Sequence, residues 1–422
     1  MWVPAYLLLL TTALGFAIAT TMKPLKLDVS RIAPQKPSLR SRDTNIVPLL
    51  NEVGTQFLAR VTIDDRVFHV QVDTGSADLW FGCEFFGEDS AACEAVPPSS
   101  PCPTGHREIV YGSGRVCLDP RVGSLRMGPL VIPGAAYSIG TSALLMDGSQ
   151  GILGLAFPSI SPYRTRVDPT AFTLPHLHSF SMFLTHQGPG STLILNGVDT
   201  DKIQAGRLVG TTIPLVGAAA HWSIAIDHVV AGDVLLSGAG TAIVDSGSTF
   251  LTMPQALFDQ FLTMVLLPLG CALDTKHGYY VCPAHTIETL PTLTFALGPD
   301  AAPFQLHAWD YTWPLSASTF LVQMQATPRG AFADRWVLGD AFLKIYPTTY
   351  HVTDKAVTFY CRDAQCQGGT KPTPLFVRVL GLPVTTHSLW LAGVALCVLV
   401  RYTLASSDDA KPFPTTTTTT NI

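Results

Sequence analysis

Short runs rich in β-branched and aromatic residues, separated by Gly, Pro and Asp, recur along most of the chain. Such runs, bounded by turn residues, are typical of β-strands. The pattern predicts strands over residues 61–72, 193–195, 222–230 and 352–360. A short helix is predicted over residues 254–262, because proline is favoured at the start of a helix. The chain is therefore predicted to be mostly β.

Apolar runs near both ends of the chain indicate targeting segments. Residues 6–19 are largely apolar and end in Ala-Ile-Ala, so residues 1–19 are predicted to form a signal peptide. An N-terminal membrane anchor is the alternative, although the run is short for a span. Residues 379–400 contain no Asp, Glu, Lys or Arg, which predicts a single membrane span of marginal hydrophobicity.

A lipid-anchor signal is the rival interpretation of the C-terminal run. Gly368 and Gly369 are small residues upstream of it, within a predicted juxtamembrane linker at residues 368–378. A lipid-anchor signal should end in its apolar tail, whereas here a polar, Thr-rich tail follows at residues 401–422. This tail disfavours the lipid anchor, and its low complexity predicts disorder.

The charge is distributed unevenly. The whole chain has a net charge of −5, which gives no basic surface for nucleic acid. Residues 20–42, in contrast, are strongly basic. A basic leader on an acidic body indicates an intramolecular electrostatic contact, with a solvated charged linker as the alternative. The composition, 47% hydrophobic and 14% charged, is that of a globular protein with large cores.

The chain contains 9 cysteines, and those outside the C-terminal apolar run form an even set. Together with a signal peptide, this set predicts disulfides. We expect two local pairs, Cys271–Cys282 and Cys361–Cys366, whereas the pairing among Cys83, Cys93, Cys102 and Cys117 cannot be read from the sequence. A zinc site is the alternative, but the close CxxC pairs of such sites are missing, so we expect no metal and no other cofactor.

Two segments of the chain resemble each other. Residues 68–76 and 241–248 are β-rich runs that each end in Asp-Thr/Ser-Gly-Ser. Each run is followed downstream by two apolar residues and a glycine, at residues 152–154 and 337–339. A single Asp-Thr-Gly is more often only a turn. Two matched copies this far apart predict two similar lobes.

The duplicated motif predicts a pair of catalytic carboxyls, Asp73 and Asp245, held where the lobes meet. Carboxyl groups about 3 Å apart cannot both ionise, so they would share one proton, and the pair could activate a water. We expect the glycine of each motif to let the two loops approach each other closely. The Thr or Ser after each Asp is expected to hydrogen-bond to the opposite loop, and the last Ser to fix the carboxylate of its own motif. These supporting residues are Thr74, Gly75 and Ser76 in the first copy and Ser246, Gly247 and Ser248 in the second.

At these residues the chain resembles the pepsin-like aspartic protease family, over residues 45–361. The run from Asp73 to Trp80 is similar to the first active-site run of the family, and residues 111–114 resemble its flap. Residues 151–156 and 336–340 resemble its two loop-closing segments. The resemblance implies an all-β, bilobal fold with pseudo-two-fold symmetry and a central cleft. The lobes would span residues 43–205 and 206–367.

The resemblance also implies an activity. The chain would be an aspartic endopeptidase that hydrolyses peptide bonds at acidic pH, bind extended peptides in its cleft, and be a monomer. The implied flap and substrate-binding residues are Tyr111, Gly112, Ser113 and Trp80, with Tyr111 bonding towards Trp80. Residues 20–42 would be a zymogen prosegment, although a basic processing site at residues 40–42 is an alternative route of activation.

Departures from the family pattern and rival classes remain. Gln71 is polar where an apolar residue is commoner, and it either faces a substrate subsite or bonds within the core.

The motifs Gly-x-Ser-x-Gly and His-Glu-x-x-His are absent, so serine hydrolases and zinc proteases are unsupported. A non-catalytic binding protein on the same fold is the serious rival, and a glycosidase is a formal one. The expected location is the secretory pathway, at a membrane, in an acidic or secretory compartment, or outside the cell.

Overall fold

The computed structural model describes the chain from Asn45 onwards with gaps. Side chains and backbone are described for residues 45–52, 55–87, 93, 96, 100–111, 114–141, 148–186, 189–328, 332–362 and 366–369, and backbone alone for 376–379 and 382–385. The predicted signal peptide, basic segment and Thr-rich tail lie outside these residues.

The first half of the described chain consists of strands and short turns. Its strands are β1 (Ile46–Glu52), β2 (Gln56–Ile63), β3 (Arg66–Asp73), β4 (Leu79–Gly82), β5 (Arg107–Tyr111), β6 (Gly114–Met127), β7 (Leu130–Thr141), β8 (Gly151–Gly154), β9 (Ser179–Phe183) and β10 (Thr192–Leu195).

The second half of the described chain also consists mainly of strands joined by short turns, and its strands are shorter. They are β11 (Val209–Pro214), β12 (Ser223–Ala231), β13 (Val234–Ser237), β14 (Gly240–Val244), β15 (Leu251–Met253), β16 (Ala272–Asp274), β17 (Tyr279–Pro283), β18 (Leu293–Leu297), β19 (Ala302–Leu306), β20 (Thr312–Pro314), β21 (Thr319–Val322), β22 (Met324–Ala326), β23 (Trp336–Leu338), β24 (Thr348–His351), β25 (Ala356–Cys361), β26 (Phe376–Val379) and β27 (Leu382–Thr385).

The described α-helices are short. They are α1 (Thr200–Gly206), α2 (Gln255–Phe261) and α3 (Asp340–Leu343). The helix predicted at residues 254–262 corresponds to α2, where Pro254 is the N-cap residue and Leu262 continues into a π-helical turn. Strands dominate over helices, so the all-β class is confirmed.

One strand prediction is wrong in its extent. Residues 61–72 do not form one strand, because a turn at Asp64 and Asp65 divides them into the antiparallel pair β2 and β3. The φ angles of these aspartates are 45° and 67°. Two successive positive φ values are typical of a tight hairpin turn, and Asp tolerates this region better than most residues. Residues 352–360 are also only partly a strand, since β25 begins at Ala356.

The two halves share one local topology. In the first half, β3 runs parallel to β8, and β8 lies antiparallel to β4, which is itself parallel to β7. In the second half, β14 runs parallel to β23, and β23 lies antiparallel to β15, which is parallel to β22. The sequence repeat is therefore matched by a structural repeat, which agrees with the predicted pseudo-two-fold symmetry.

The largest sheet draws on both halves. It has 13 strands in the order β11-β25-β24-β9-β10-β1-β2-β3-β8-β4-β7-β6-β5. Strands β11, β24 and β25 come from the second half and pair next to β9, from the first half. The lobe boundary at residues 205 and 206 stays a prediction, because this sheet crosses it.

Four disulfides are present in the described residues. Both local pairs expected from the sequence form, and the remaining cysteines pair with their neighbours along the chain. The bonds are Cys83–Cys93, Cys102–Cys117, Cys271–Cys282 and Cys361–Cys366.

The predicted membrane span receives no support from the described part of the chain. There, no helix has the length and apolar character needed to cross a membrane. Strands β26 and β27 pair as an antiparallel hairpin, so the segment predicted to span from residue 379 begins as strand. Pro383 lies in β27, and proline is disfavoured inside a helix. Residues 386–400 lie outside the described residues.

Trp222 joins the core of one half to the other. Its indole is fully buried and donates a hydrogen bond of 2.8 Å to the Leu155 carbonyl. Its ring packs on Phe157, Phe180 and Tyr350, with centroid distances of 4.8, 5.8 and 5.0 Å. Partners from both halves thus meet on one side chain.

We expect Trp222→Ala to lower the free energy of unfolding by about 3–5 kcal/mol, because it leaves a large cavity and an unpaired carbonyl. Chemical denaturation followed by circular dichroism measures this change. Val209→Ala, on the exposed side of β11, is the control and should change stability by less than about 0.5 kcal/mol. A loss for Trp222→Ala as small as that of the control would contradict this role.

Candidate active site

The two motif aspartates occupy equivalent positions in the structural repeat. Asp73 is the last residue of β3, and Asp245 directly follows β14. The Asp73 carbonyl accepts a hydrogen bond of 2.8 Å from the Leu155 amide, just after β8. The Asp245 amide donates one of 3.0 Å to the Leu338 carbonyl in β23. Each aspartate is thus fixed to the downstream apolar-apolar-Gly segment of its own repeat.

Each carboxyl is held by the two residues predicted to support it. The Gly75 amide donates to Asp73 Oδ1 at 2.8 Å, and the Ser76 hydroxyl donates to Oδ2 at 2.5 Å. In the second loop, the Gly247 amide donates to Asp245 Oδ1 at 2.8 Å. The hydroxyl of Ser248 donates to Asp245 Oδ2 at 2.7 Å. These matching bonds fix both carboxyl rotamers.

The two loops are bonded to each other through Thr74 and Ser246. The Thr74 amide donates to the Ser246 hydroxyl at 3.2 Å, and the Ser246 amide donates to the Thr74 hydroxyl at 2.9 Å. Each hydroxyl also donates to a backbone carbonyl of the opposite strand, Thr74 to Val244 at 2.9 Å and Ser246 to Val72 at 2.8 Å. Four hydrogen bonds therefore connect the loops in a completely buried position.

The glycines of the motif allow the loops to approach closely. A Cβ atom on Gly75 would lie only 2.6 Å from the Asp245 carboxyl carbon, and one on Gly247 would collide with the Asp73 carboxyl. Any larger residue would push the carboxyls apart. With glycine at both positions, the two carboxyls are close neighbours, since a Cβ atom on Gly247 would lie within 3.1 Å of an oxygen from each aspartate.

Burial makes the two carboxyls electrostatically unequal. The pKa of Asp73 is raised from 3.8 to about 8, chiefly by burial and then by the charge of neighbouring Asp245, against the lowering effect of its bonds to Ser76 and Gly75. A proton is therefore retained on Asp73 over a wide pH range.

The flap resemblance is matched by a hairpin next to the aspartates. Strands β5 and β6 pair antiparallel, with Tyr111 opposite Gly114. The Trp80 indole donates a hydrogen bond of 2.8 Å to the Tyr111 hydroxyl. Burial raises the pKa of Tyr111 above its usual range, so its hydroxyl stays protonated. Gly112 and Ser113, at the turn, lie outside the described residues.

Two further side chains reach the site. Gln71 donates to the Gly247 carbonyl at 3.3 Å, so it bonds across the seam within the protein. His221 stacks edge-on against Phe332 at 4.8 Å, and burial lowers its pKa, while the Asp245 charge opposes this change. No pattern in the sequence points to His221, because its contact with the site joins distant parts of the chain.

Asp340 is a third buried carboxyl close to the site. It opens α3, and its amide donates to the Ser248 carbonyl at 2.8 Å. Burial raises the pKa of Asp340, the Lys344 charge lowers it, and the Asp245 charge raises it again. The sequence placed Asp340 in a family-like segment but did not assign it an electrostatic effect on the dyad.

The site contains carboxyl, hydroxyl and amide groups. Within the ranges that the structure describes, no group of three or more His, Cys, Asp or Glu residues could hold a metal ion. The arrangement of two touching carboxyls can hold one proton and orient a water molecule. This chemistry does not need a covalent intermediate.

Known proteins share this sequence and fold. The eukaryotic aspartyl protease family model matches residues 56–360. Pepsin A of Gallus gallus is 27% identical over 329 residues, covering 73% of this chain and 84% of that protein. Vacuolar protease A of Neurospora crassa is 28% identical over 326 residues, covering 72% and 78%. Pregnancy-associated glycoprotein 2 of Bos taurus is 27% identical over 340 residues, covering 73% and 83%.

The solved structures give the same answer for the fold. An aspartic proteinase from Irpex lacteus superposes with a TM-score of 0.60 at 18% identity, covering 74% of this chain and 96% of that one. The pepsin-like bilobal fold implied by the sequence is therefore confirmed. With the family match extending over most of the chain, the protein belongs to the eukaryotic aspartyl protease family and is a pepsin-like aspartic endopeptidase.

Proposed function

We propose that this endopeptidase cleaves peptide bonds with a water molecule activated jointly by Asp73 and Asp245. The observation that carries the proposal is the mirrored arrangement of two buried carboxyls, each fixed by a glycine amide and a serine hydroxyl. Groups held in one rotamer and excluded from bulk water are suited to act on a bound water and a carbonyl oxygen.

The unequal environments of the two carboxyls assign their roles. Asp73 holds the proton, because burial raises its pKa to about 8. Asp245 is then the base that takes a proton from the water as the water oxygen attacks the peptide carbonyl carbon. Asp73 donates its proton to the carbonyl oxygen, which gives a tetrahedral diol. Proton transfer to the amide nitrogen and cleavage of the C–N bond complete hydrolysis.

The contact between the carboxyls also separates this proposal from the glycosidase alternative. Glycosidase carboxyls lie about 5 Å apart or more, because they flank the scissile glycosidic bond and, in inverting enzymes, leave room for a water. Here a single Cβ atom on Gly247 would lie within 3.1 Å of oxygens from both aspartates, so the carboxyls are close neighbours. A protease dyad needs that contact, since the shared proton and the single water depend on it.

The substrate would be an extended peptide lying under the flap. Extended peptides bind largely through backbone hydrogen bonds, as in strand addition. The Trp80–Tyr111 hydrogen bond supports a flap that orders the substrate and excludes water. A preference for large apolar side chains beside the scissile bond follows from the family resemblance.

The compartment proposed for the enzyme is the secretory pathway or a compartment it feeds. The predicted signal peptide and the four disulfides support it, since disulfides persist in oxidising compartments. One relative carries the name vacuolar protease A. An acidic compartment would also suit residues 20–42 as a prosegment released when acid neutralises carboxylates.

We expect Asp73→Asn and Asp245→Asn each to lower kcat by at least about 100-fold, because either change removes one proton-transfer group. Hydrolysis of denatured globin or casein at acidic pH measures this effect. Asp300→Asn, at an exposed turn, is the matched control and should retain full activity. Normal turnover in either dyad variant would contradict the mechanism. If the wild-type protein shows no cleavage at any pH that a pepstatin-type inhibitor blocks, the rival interpretation as a non-catalytic binding protein is favoured.

The raised pKa of Asp73 predicts how stability depends on pH. Between pH 3.8 and about 8, folded protein keeps a proton on Asp73 that the unfolded chain has released. The free energy of unfolding should therefore fall as pH rises through this window. Asp73→Asn should reduce the fall by at least about 1.4 kcal/mol, the equivalent of one pKa unit.

Urea denaturation at several pH values measures this dependence for wild type, Asp73→Asn and the exposed control Asp300→Asn. The control should follow the wild type. Buried Asp78, whose pKa burial raises to about 6, contributes equally to all three and cancels in the comparison. If the free energy of unfolding of Asp73→Asn fell with pH as much as that of the wild type, Asp73 would have the same pKa in the folded and the unfolded protein. That result would contradict the prediction.

A further inference from the structure

A cavity of about 180 Å³ opens on the first half, away from the catalytic loops. One wall comes from the β6–β7 hairpin and includes Arg121 and Ala136. Further lining comes from the segment after β8 and includes Tyr163, Val167 and Phe172. Asp78 also lines the cavity. No residue of either Asp-Thr/Ser-Gly-Ser loop lines this cavity, which we call the Asp78 cavity.

The Asp78 carboxyl is buried but only half satisfied. The side chain is 5% exposed, and its Oδ1 accepts a hydrogen bond of 2.6 Å from the Ser161 hydroxyl. Its second oxygen has no hydrogen-bond partner in the part of the chain that the structure describes, and it keeps some access to solvent. A donor or a cation that reaches this oxygen would stabilise the largely buried carboxylate.

No side chain of the described residues compensates this carboxylate with a positive charge. Burial is the main influence on Asp78 and raises its pKa to about 6, and only the Ser161 hydroxyl opposes the shift. Arg121, at the cavity mouth, pairs with Asp119 at 2.6 Å. The negative charge of Asp78 contributes to raising the pKa of two nearby phenols, Tyr111 and Tyr163. Neither phenol carries a positive charge.

We propose that the Asp78 cavity binds a small organic cation, a primary ammonium on one apolar ring or short hydrocarbon, with the ammonium bonded to the Asp78 carboxylate. A cavity of about 150 Å³ holds one benzene molecule, so the volume suits a single ring. Side chains such as Val167 and Phe172 supply apolar contacts. The aromatic rings of Tyr163 and Phe172 also favour a nearby cation.

The Asp78 cavity adjoins the packing beneath the flap. Tyr163 and Phe172 belong to a small buried cluster that includes Trp80, against which Tyr111 packs. A bound ammonium would neutralise a charge that acts on Tyr111 and would fill space beside this cluster. The site is defined by its own residues and does not depend on the dyad mechanism.

The test uses benzylammonium as the probe in isothermal titration calorimetry with the full chain, the cleft being saturated with a pepstatin-type inhibitor. The inhibitor keeps the amine from the dyad carboxyls. We expect one site whose affinity is about tenfold higher at pH 7.5 than at pH 5, because Asp78 is ionised at the higher pH. Benzyl alcohol, which lacks the charge, should bind more weakly at pH 7.5.

Two variants locate the site. Asp78→Asn keeps an acceptor for Ser161 but removes the charge, and it should weaken benzylammonium binding at least about tenfold and abolish its pH dependence. Ala136→Leu fills the Asp78 cavity from its wall and should weaken binding while leaving Asp78 in place. Retained inhibitor binding shows that both variants are folded. Unchanged affinity in either folded variant, or no binding of the probe at millimolar concentration, would overturn the proposal.

Discussion

The structure depends on the reciprocal bonds between Thr74 and Ser246. Each residue donates from its amide to the hydroxyl of the other, and each hydroxyl donates onward to a carbonyl of the opposite strand. A buried amide or hydroxyl that lost its partner would cost about 1–3 kcal/mol. This network therefore resists separation of the two halves and keeps Asp73 and Asp245 in contact.

Symmetry positions the carboxyls, and local asymmetry gives them different roles. The hydrogen bonds to Asp73 and Asp245 match atom for atom, so the bonds alone do not decide which group holds the proton. The surroundings differ, because His221 and Asp340 interact with the Asp245 charge and neither is among the influences on Asp73. Burial then raises the pKa of Asp73. In the proposed mechanism, this difference makes Asp73 the acid and Asp245 the base.

The sequence predicts what local patterns encode. Gly75 and the paired hydroxyls were identifiable, because the motif occurs twice and each position needs one residue type. The turn at Asp64 and Asp65 was missed, since apolar residues continue on both sides of it. The environments of His221 and Asp78 could not be predicted, because their partners Phe332 and Ser161 are distant in the sequence and meet them only in the folded chain.

The proposed mechanism requires that Asp73 keep its proton, through burial beside the Asp245 carboxyl. Carbon-13 NMR of protein labelled at the aspartate carboxyls, titrated in the wild type and in Asp245→Asn, measures this directly. The account predicts an Asp73 pKa well above 3.8 in the wild type, and a lower but still raised value in Asp245→Asn, because burial remains when the neighbouring charge is gone. An Asp73 carboxyl that titrates near 3.8 and ignores the substitution would contradict the account.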